Sequence, residues 1–182
     1  MKTWIAFFRG INVVGSNTMP MKQLVSLLEA AGARKVKTYI QSGNVVFQHS
    51  MGDAARIAVR LRQAVAEARG FEPRVLVLTV EELEKAVASN PFSGAAAAPK
   101  ALHLFFLDGE PRSPDLEALN VTKTASESFA LHGKVFYLHT PEGFGVSKLA
   151  QRVERLLGVD ATARNWRTVT TVLELARSHA KG

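Results

Sequence analysis

The chain has 182 residues, 47% of them hydrophobic, with a formal net charge of +7 and no cysteine. That length and apolar content exclude a disordered or fibrous chain, and the missing thiols exclude a disulfide scaffold, a thiolate zinc site and cysteine catalysis while fitting a reducing compartment. No run approaches the about 18 apolar residues of a membrane span, and the apolar stretch from Ile5 to Phe8 stops at Arg9 before it could serve as a signal-peptide core, so the expectation is a cytoplasmic protein with no membrane partner.

Residues 3–9, rich in aromatic and branched side chains and ending at Gly10, predict a first strand. After a polar, glycine-bearing loop, Pro20 suits a first helical turn, Leu24, Leu27, Leu28 and Ala31 recur at helical spacing, and Gly32 supplies the stop. Residues 35–40 and 44–48 are short extended runs around Ser42-Gly43-Asn44, a turn sequence, and so predict a hairpin. Ile57, Leu61, Val65 and Ala68 mark a second helix ending at Gly70, and residues 74–80 a fourth strand. The order is βαββαβ.

Thr79 and Glu82 have the spacing of a capping box, opening a third helix through Ala88 that Asn90-Pro91 ends. The small, proline-bounded stretch 93–99 reads as a linker. Beyond it come a strand at 101–107, a short helix at 114–119 and a hairpin of 128–131 with 135–139 around His132-Gly133. Leu149, Val153, Leu156 and Leu157 mark a further helix ended by Gly158, and Val169, Val172, Leu173 and Ala176 a last one. The expected fold is α+β: a ferredoxin-like βαββαβ lobe over 1–80, a helix and linker over 81–100, and a second lobe over 101–182 made of βαββα and a C-terminal helix. The second half repeats the order of the first, through duplication or through the commonness of that order.

Charge divides unevenly along this plan. Residues 1–80 hold 11 Lys and Arg against 4 Asp and Glu, whereas 81–182 hold 12 of each sign. A basic lobe favours an anionic partner: nucleic acid, a phosphorylated metabolite or an acidic protein. Arg56, Arg60, Arg62 and Arg69 equally suit the wet face of the second helix.

A split βαβ lobe brings the loop after the first strand, the hairpin turn and the N-terminus of the first helix to one sheet edge. Arg9, Gly10, Asn12, Ser42, Gly43 and Asn44 then combine a fixed charge, amide groups and glycines at a candidate anion site; as plain turn residues they need no ligand. Gly10 and Gly15 have the spacing of a phosphate-binding loop, but Ser16-Asn17 stands where Lys and Ser or Thr are required, which excludes a Walker-type NTPase. In the second half, Ser147 can cap the helix near Leu149 and Lys148 can neutralise an oxyanion beside it. Arg164, Asn165 and Trp166 precede the last helix, Asn165 as a natural cap and Trp166 as core or as a stacking face for a base. The five histidines show no ligand spacing, and no H-E-x-x-H or G-x-S-x-G is present, so no metal site, cofactor or catalytic residue is assigned.

The runs 8–13 (Phe-Arg-Gly-Ile-Asn-Val) and 38–47 (Thr-Tyr-Ile-Gln-Ser-Gly-Asn-Val-Val-Phe), the step Ser147-Lys148-Leu149 and the run 163–169 together resemble the bacterial family called domain of unknown function 1697. The resemblance implies a small cytoplasmic α+β protein with a ferredoxin-like portion, and no reaction. Val14 stands where the family pattern has glycine and Ala163 where it has threonine. The sequence thus supports three functions: a module binding a nucleotide or nucleic acid at the edge beside Arg9, a metal-independent enzyme acting on a small phosphorylated metabolite, or a protein-interaction module.

Overall fold

The computed structural model describes residues 1–13 and 16–180; Val14 and Gly15, which entered the loop comparisons above, lie outside the described residues. The chain divides into two compact units, Met1–Lys85 with Thr171–Gly182, and Ala86–Thr170. It is a mixed α/β fold with two four-stranded antiparallel sheets, one in each unit.

In the first unit, β1 (Lys2–Arg9), β2 (Arg34–Tyr39), β3 (Asn44–His49) and β4 (Arg74–Thr79) lie in the order β2-β3-β1-β4, with helices α1 (Met21–Ala30) and α2 (Ala54–Arg69) between them in sequence. β1 is central and buried on both faces, which is why it reads as an unbroken apolar run. Trp4, Ala6 and Phe8 pack with Leu24 and Leu28 of α1 and Ile57, Leu61 and Val65 of α2. Ile5 and Phe7, one position out of phase, are fully buried on the opposite face. Asp53 caps α2, its carboxylate accepting from the Arg56 amide at 3.1 Å, and Gly70 ends it at φ +71°. The Thr79–Glu82 capping box is reciprocal, at 2.8 and 3.1 Å, and starts helix α3 (Val80–Ala88).

In the second unit, β5 (Leu102–Leu107), β6 (Ser128–His132), β7 (Val135–His139) and β8 (Ala161–Asn165) lie in the order β6-β7-β5-β8, with α4 (Leu116–Thr122) and α5 (Val153–Leu157) between them in sequence. Phe105, Phe136, Leu119, Leu149, Val153 and Leu157 form its core. Strand β8 corrects the βαββα expectation: this unit is βαββαβ. Its sequence, Ala-Thr-Ala-Arg-Asn, has too little apolar character to signal a strand, and pairing along His103–Leu107 of the buried β5 supplies what local propensity lacks.

Two further corrections are local. The helix expected around Leu149 is two 3-10 turns, at 144–146 and 150–152, followed by the short α5. The stretch read as a linker contains a 3-10 helix at Ser93–Ala97, with Ala95 buried. Counted in chain order, both sheets have the strand order second, third, first, fourth. The last helix, α6 (Trp166–Ala180), begins among the residues of the second unit and ends among those of the first.

Candidate functional site

The sheet edge of the first unit gathers the residues that strand order predicts. Arg9 ends β1, Asn44 starts β3 opposite Phe7, and Arg74 starts β4 opposite Arg9. Asn12, held at φ +51°, bridges the loop to the hairpin: its Nδ2 donates to the carbonyls of Met19 (2.9 Å) and Gln41 (2.8 Å), and its Oδ1 accepts from the Met19 amide at 2.7 Å. Asn44 is fully buried, its Nδ2 donating to the Tyr39 carbonyl (3.1 Å) and to Ser42 Oγ (2.9 Å). Both amides therefore have internal work in shaping the edge.

Gly43, at φ +75°, gives its carbonyl to the Phe8 amide at 2.8 Å, and a Cβ on it would lie 2.6 Å from Phe8 Cβ and 2.7 Å from Ile11 Cδ1. Gly10, at φ +83°, has open space around that position. One glycine answers a packing demand and the other only a backbone one. Arg9 and Arg74 are exposed at this edge, and each is engaged in an interaction within the protein.

Arg69 is the contributor that sequence reading misses. Its guanidinium donates to the Thr18 carbonyl at 2.6 Å and to Gln23 Oε1 at 3.2 Å, bracing the segment that leads into α1. Nothing in helical periodicity distinguishes it from Arg56 and Arg60, which are exposed, or from Arg62, whose Nε pairs with Glu72 at 2.8 Å.

In the second unit, Ser147 is buried and caps the 3-10 turn at 150–152, its Oγ accepting from the Ala150 amide at 3.0 Å, while Lys148 is exposed. Arg164 lies opposite Leu104 and gives an Nη1 hydrogen bond to the Ala163 carbonyl at 2.9 Å. Asn165, opposite His103, caps α6 by accepting from the Thr168 amide at 2.9 Å; Trp166 is half-buried. Beside this cap is a cavity of about 330 Å³, lined among others by Lys100, Thr140, Glu142 and Arg167. Lys100 and Arg167 are exposed, and Glu142 accepts from Ser126 Oγ at 2.8 Å. None of Ser147, Lys148, Arg164, Asn165 and Trp166 is among the residues that line it, whereas Lys100 and Arg167, outside the predicted set, are.

His103 stacks on Phe144 at 3.7 Å between ring centroids, and burial pushes its pKa down to about 4. Tyr137 is pushed up to about 12, also by burial, and its hydroxyl donates to the Ala86 carbonyl at 2.8 Å. Among the described residues no group of three or more His, Asp or Glu could hold a metal ion, and no helix is long and apolar enough to cross a membrane.

This architecture is that of a mixed α/β protein with two four-stranded antiparallel sheets. A conserved bacterial protein from Streptococcus pneumoniae has a solved structure that matches with a TM-score of 0.66 at 22% identity, covering 97% of this chain and 99% of that one; at that identity the likeness concerns the fold. The chain belongs to the protein family of unknown function DUF1697, whose model matches residues 1–137. The Arg9 loop and the Ser42-Gly43-Asn44 turn lie inside the matched span, whereas Ser147, Lys148 and Arg164 to Trp166 lie beyond it. No curated protein matches the chain.

Proposed function

We propose that the protein binds a small anionic ligand, of nucleotide or sugar-phosphate class, in the cavity of the second unit. The observation that carries this reading is the meeting of Arg167, in the first turn of α6, with Lys100 at the wall of a ligand-sized space. The positive end of the helix dipole adds to their charge, and among the described lining residues Glu142 is the single carboxylate, leaving that wall net positive. We read both units as ferredoxin-like lobes, a reading supported by their shared strand order.

A charge-assisted hydrogen bond to a guanidinium contributes about 1.5–3 kcal/mol, so Arg167→Ala should weaken binding of ADP or inorganic phosphate roughly 10- to 150-fold. Arg60→Ala, a change on the exposed face of α2, should leave it unchanged. Calorimetric titration of both variants tests this, and equal affinities for the two would discard the pocket. A steep fall of affinity with salt, spread over several phosphates, would instead indicate a nucleic-acid strand.

A second reading keeps the anion at the edge where β1 meets its loop. It is favoured by Arg9 and Arg74 standing directly opposite each other on β1 and β4, which puts two exposed cations at one edge. Loss of binding in Arg9→Ala with retention in Arg167→Ala would select this site.

A further inference from the structure

The wall of the cavity beside the α6 cap divides into a charged part and an apolar part. Lys100, Glu142 and Arg167 supply the charge, and alanines, prolines and Gly143 most of the rest. Thr140 is the single neutral polar side chain among the described lining residues.

Neutral hydrogen-bonding capacity along this wall is spent inside the protein. Pro99 and Pro141 carry no amide N–H. The Ala98 and Ala101 amides donate to the carbonyls of Ala95 (3.0 Å) and Ala98 (2.8 Å), and the Thr140 and Gly143 amides to those of Ala101 (2.7 Å) and Thr140 (3.0 Å). The Thr140 hydroxyl, on a residue 1% exposed, donates to the Ala101 carbonyl as well, at 3.2 Å. Among the described lining residues, the donors left for a ligand sit on the charged ones. Glu142, whose Oε1 accepts from Ser126 Oγ, keeps Oε2 as an acceptor.

Sugar phosphates and nucleotides ask different things of such a wall. A sugar phosphate brings several hydroxyls, each of which loses water on entry and needs a new partner; one carboxylate oxygen serves at most two of them, and alanine and proline side chains serve none. A nucleoside phosphate brings two ribose hydroxyls, which one carboxylate oxygen can serve, and a flat base whose faces need only apolar contact. The volume, about 330 Å³, is also more than a phosphate alone fills.

We propose that the ligand of this cavity is a nucleoside phosphate, its base on the wall formed by Ala98, Pro99 and Pro141, its phosphate held by Lys100 and Arg167, and its ribose hydroxyls donating to Glu142. The assignment rests on the anion-binding reading of the same cavity and adds the base to it.

The test is calorimetric titration of the full-length protein with AMP, ribose 5-phosphate and inorganic phosphate, which share one anionic group and differ in what it carries. AMP should bind about tenfold or more tighter than ribose 5-phosphate, the gain that removal of base surface from water supplies. Pro141→Ala, a change at an exposed position, should remove about threefold or more of the AMP affinity through lost contact area and leave that for ribose 5-phosphate unchanged. Arg167→Ala should weaken all three ligands. Equal affinity for AMP and ribose 5-phosphate, or an AMP affinity untouched by Pro141→Ala, would overturn the nucleotide assignment and leave the anion site standing. Absence of binding by all three would overturn both.

Discussion

Replacing Gly43 by alanine separates a packing glycine from a ligand-approach glycine. At φ +75° an alanine is strained by about 1–2 kcal/mol, and its Cβ must enter space only 2.6 Å from Phe8 Cβ and 2.7 Å from Ile11 Cδ1. Neither neighbour yields easily, since Phe8 is 1% exposed in the middle of the core and its amide is tied to the Gly43 carbonyl. Forcing that contact adds about 1–3 kcal/mol, for a total near 2–5 kcal/mol. Gly10→Ala meets the backbone strain alone at φ +83°, with nothing within 4 Å of its Cβ, and the stiffer unfolded chain returns part of it, leaving about 1 kcal/mol. The assay is urea unfolding in a Trp166→Phe background, where the buried Trp4 of the first unit is the single tryptophan reporter. With a slope of about 2 kcal/mol per molar urea, the difference of about 1–4 kcal/mol separates the two midpoints by about 0.5–2 M. Equal shifts would refute the claim that contact, beyond conformation, demands glycine at 43.

Three further outcomes follow from contacts in the two units. His103 has a folded pKa of about 4 against about 6.5 unfolded, so the stability it contributes is present above pH 6.5 and is lost as pH falls toward 4, by up to about 3 kcal/mol. His103→Phe should flatten that part of the stability profile, measured as urea midpoints at pH values on either side. Asn12→Ala removes three hydrogen bonds that tie the loop to the hairpin and should cost about 3 kcal/mol in the same unfolding assay, whereas Asn165→Ala loses one helix cap and about 1 kcal/mol.

What the sequence reveals of this fold is what local chemistry controls. The hairpin around Gly43, the Thr79–Glu82 box, the Gly70 stop and the Asn165 cap each follow from one or two residues whose backbone preferences leave little choice. Strand β8 escapes because nothing in Ala161 to Asn165 distinguishes a strand from an approach to a helix; its state is decided by β5, more than fifty residues away in the chain. The break-up of the helix near Leu149 escapes for a related reason. Apolar spacing records which side chains face the core, and Leu149 and Val153 do face it, yet 3-10 turns and an α-helix can present the same residues.

The candidate sites show the same division between local and distant causes. Polar residues that make turns are easy to find, and Asn12, Ser42 and Asn44 do lie together at the predicted edge, but each amide is occupied with backbone or with its neighbour. A ligand-binding wall needs side chains whose charge faces open space, and that property depends on which distant segments stand beside them. Lys100 and Arg167 share a cavity although 67 positions separate them, a spacing that no motif encodes. The uneven charge of the two halves is likewise a poor guide to location: in the basic half Arg69 braces the segment leading into α1 and Arg62 pairs with Glu72, while the neutral half supplies Lys100 and Arg167 at the cavity beside the α6 cap. Net charge counts residues, whereas a binding site depends on which of them the fold leaves facing a space that an anion can enter.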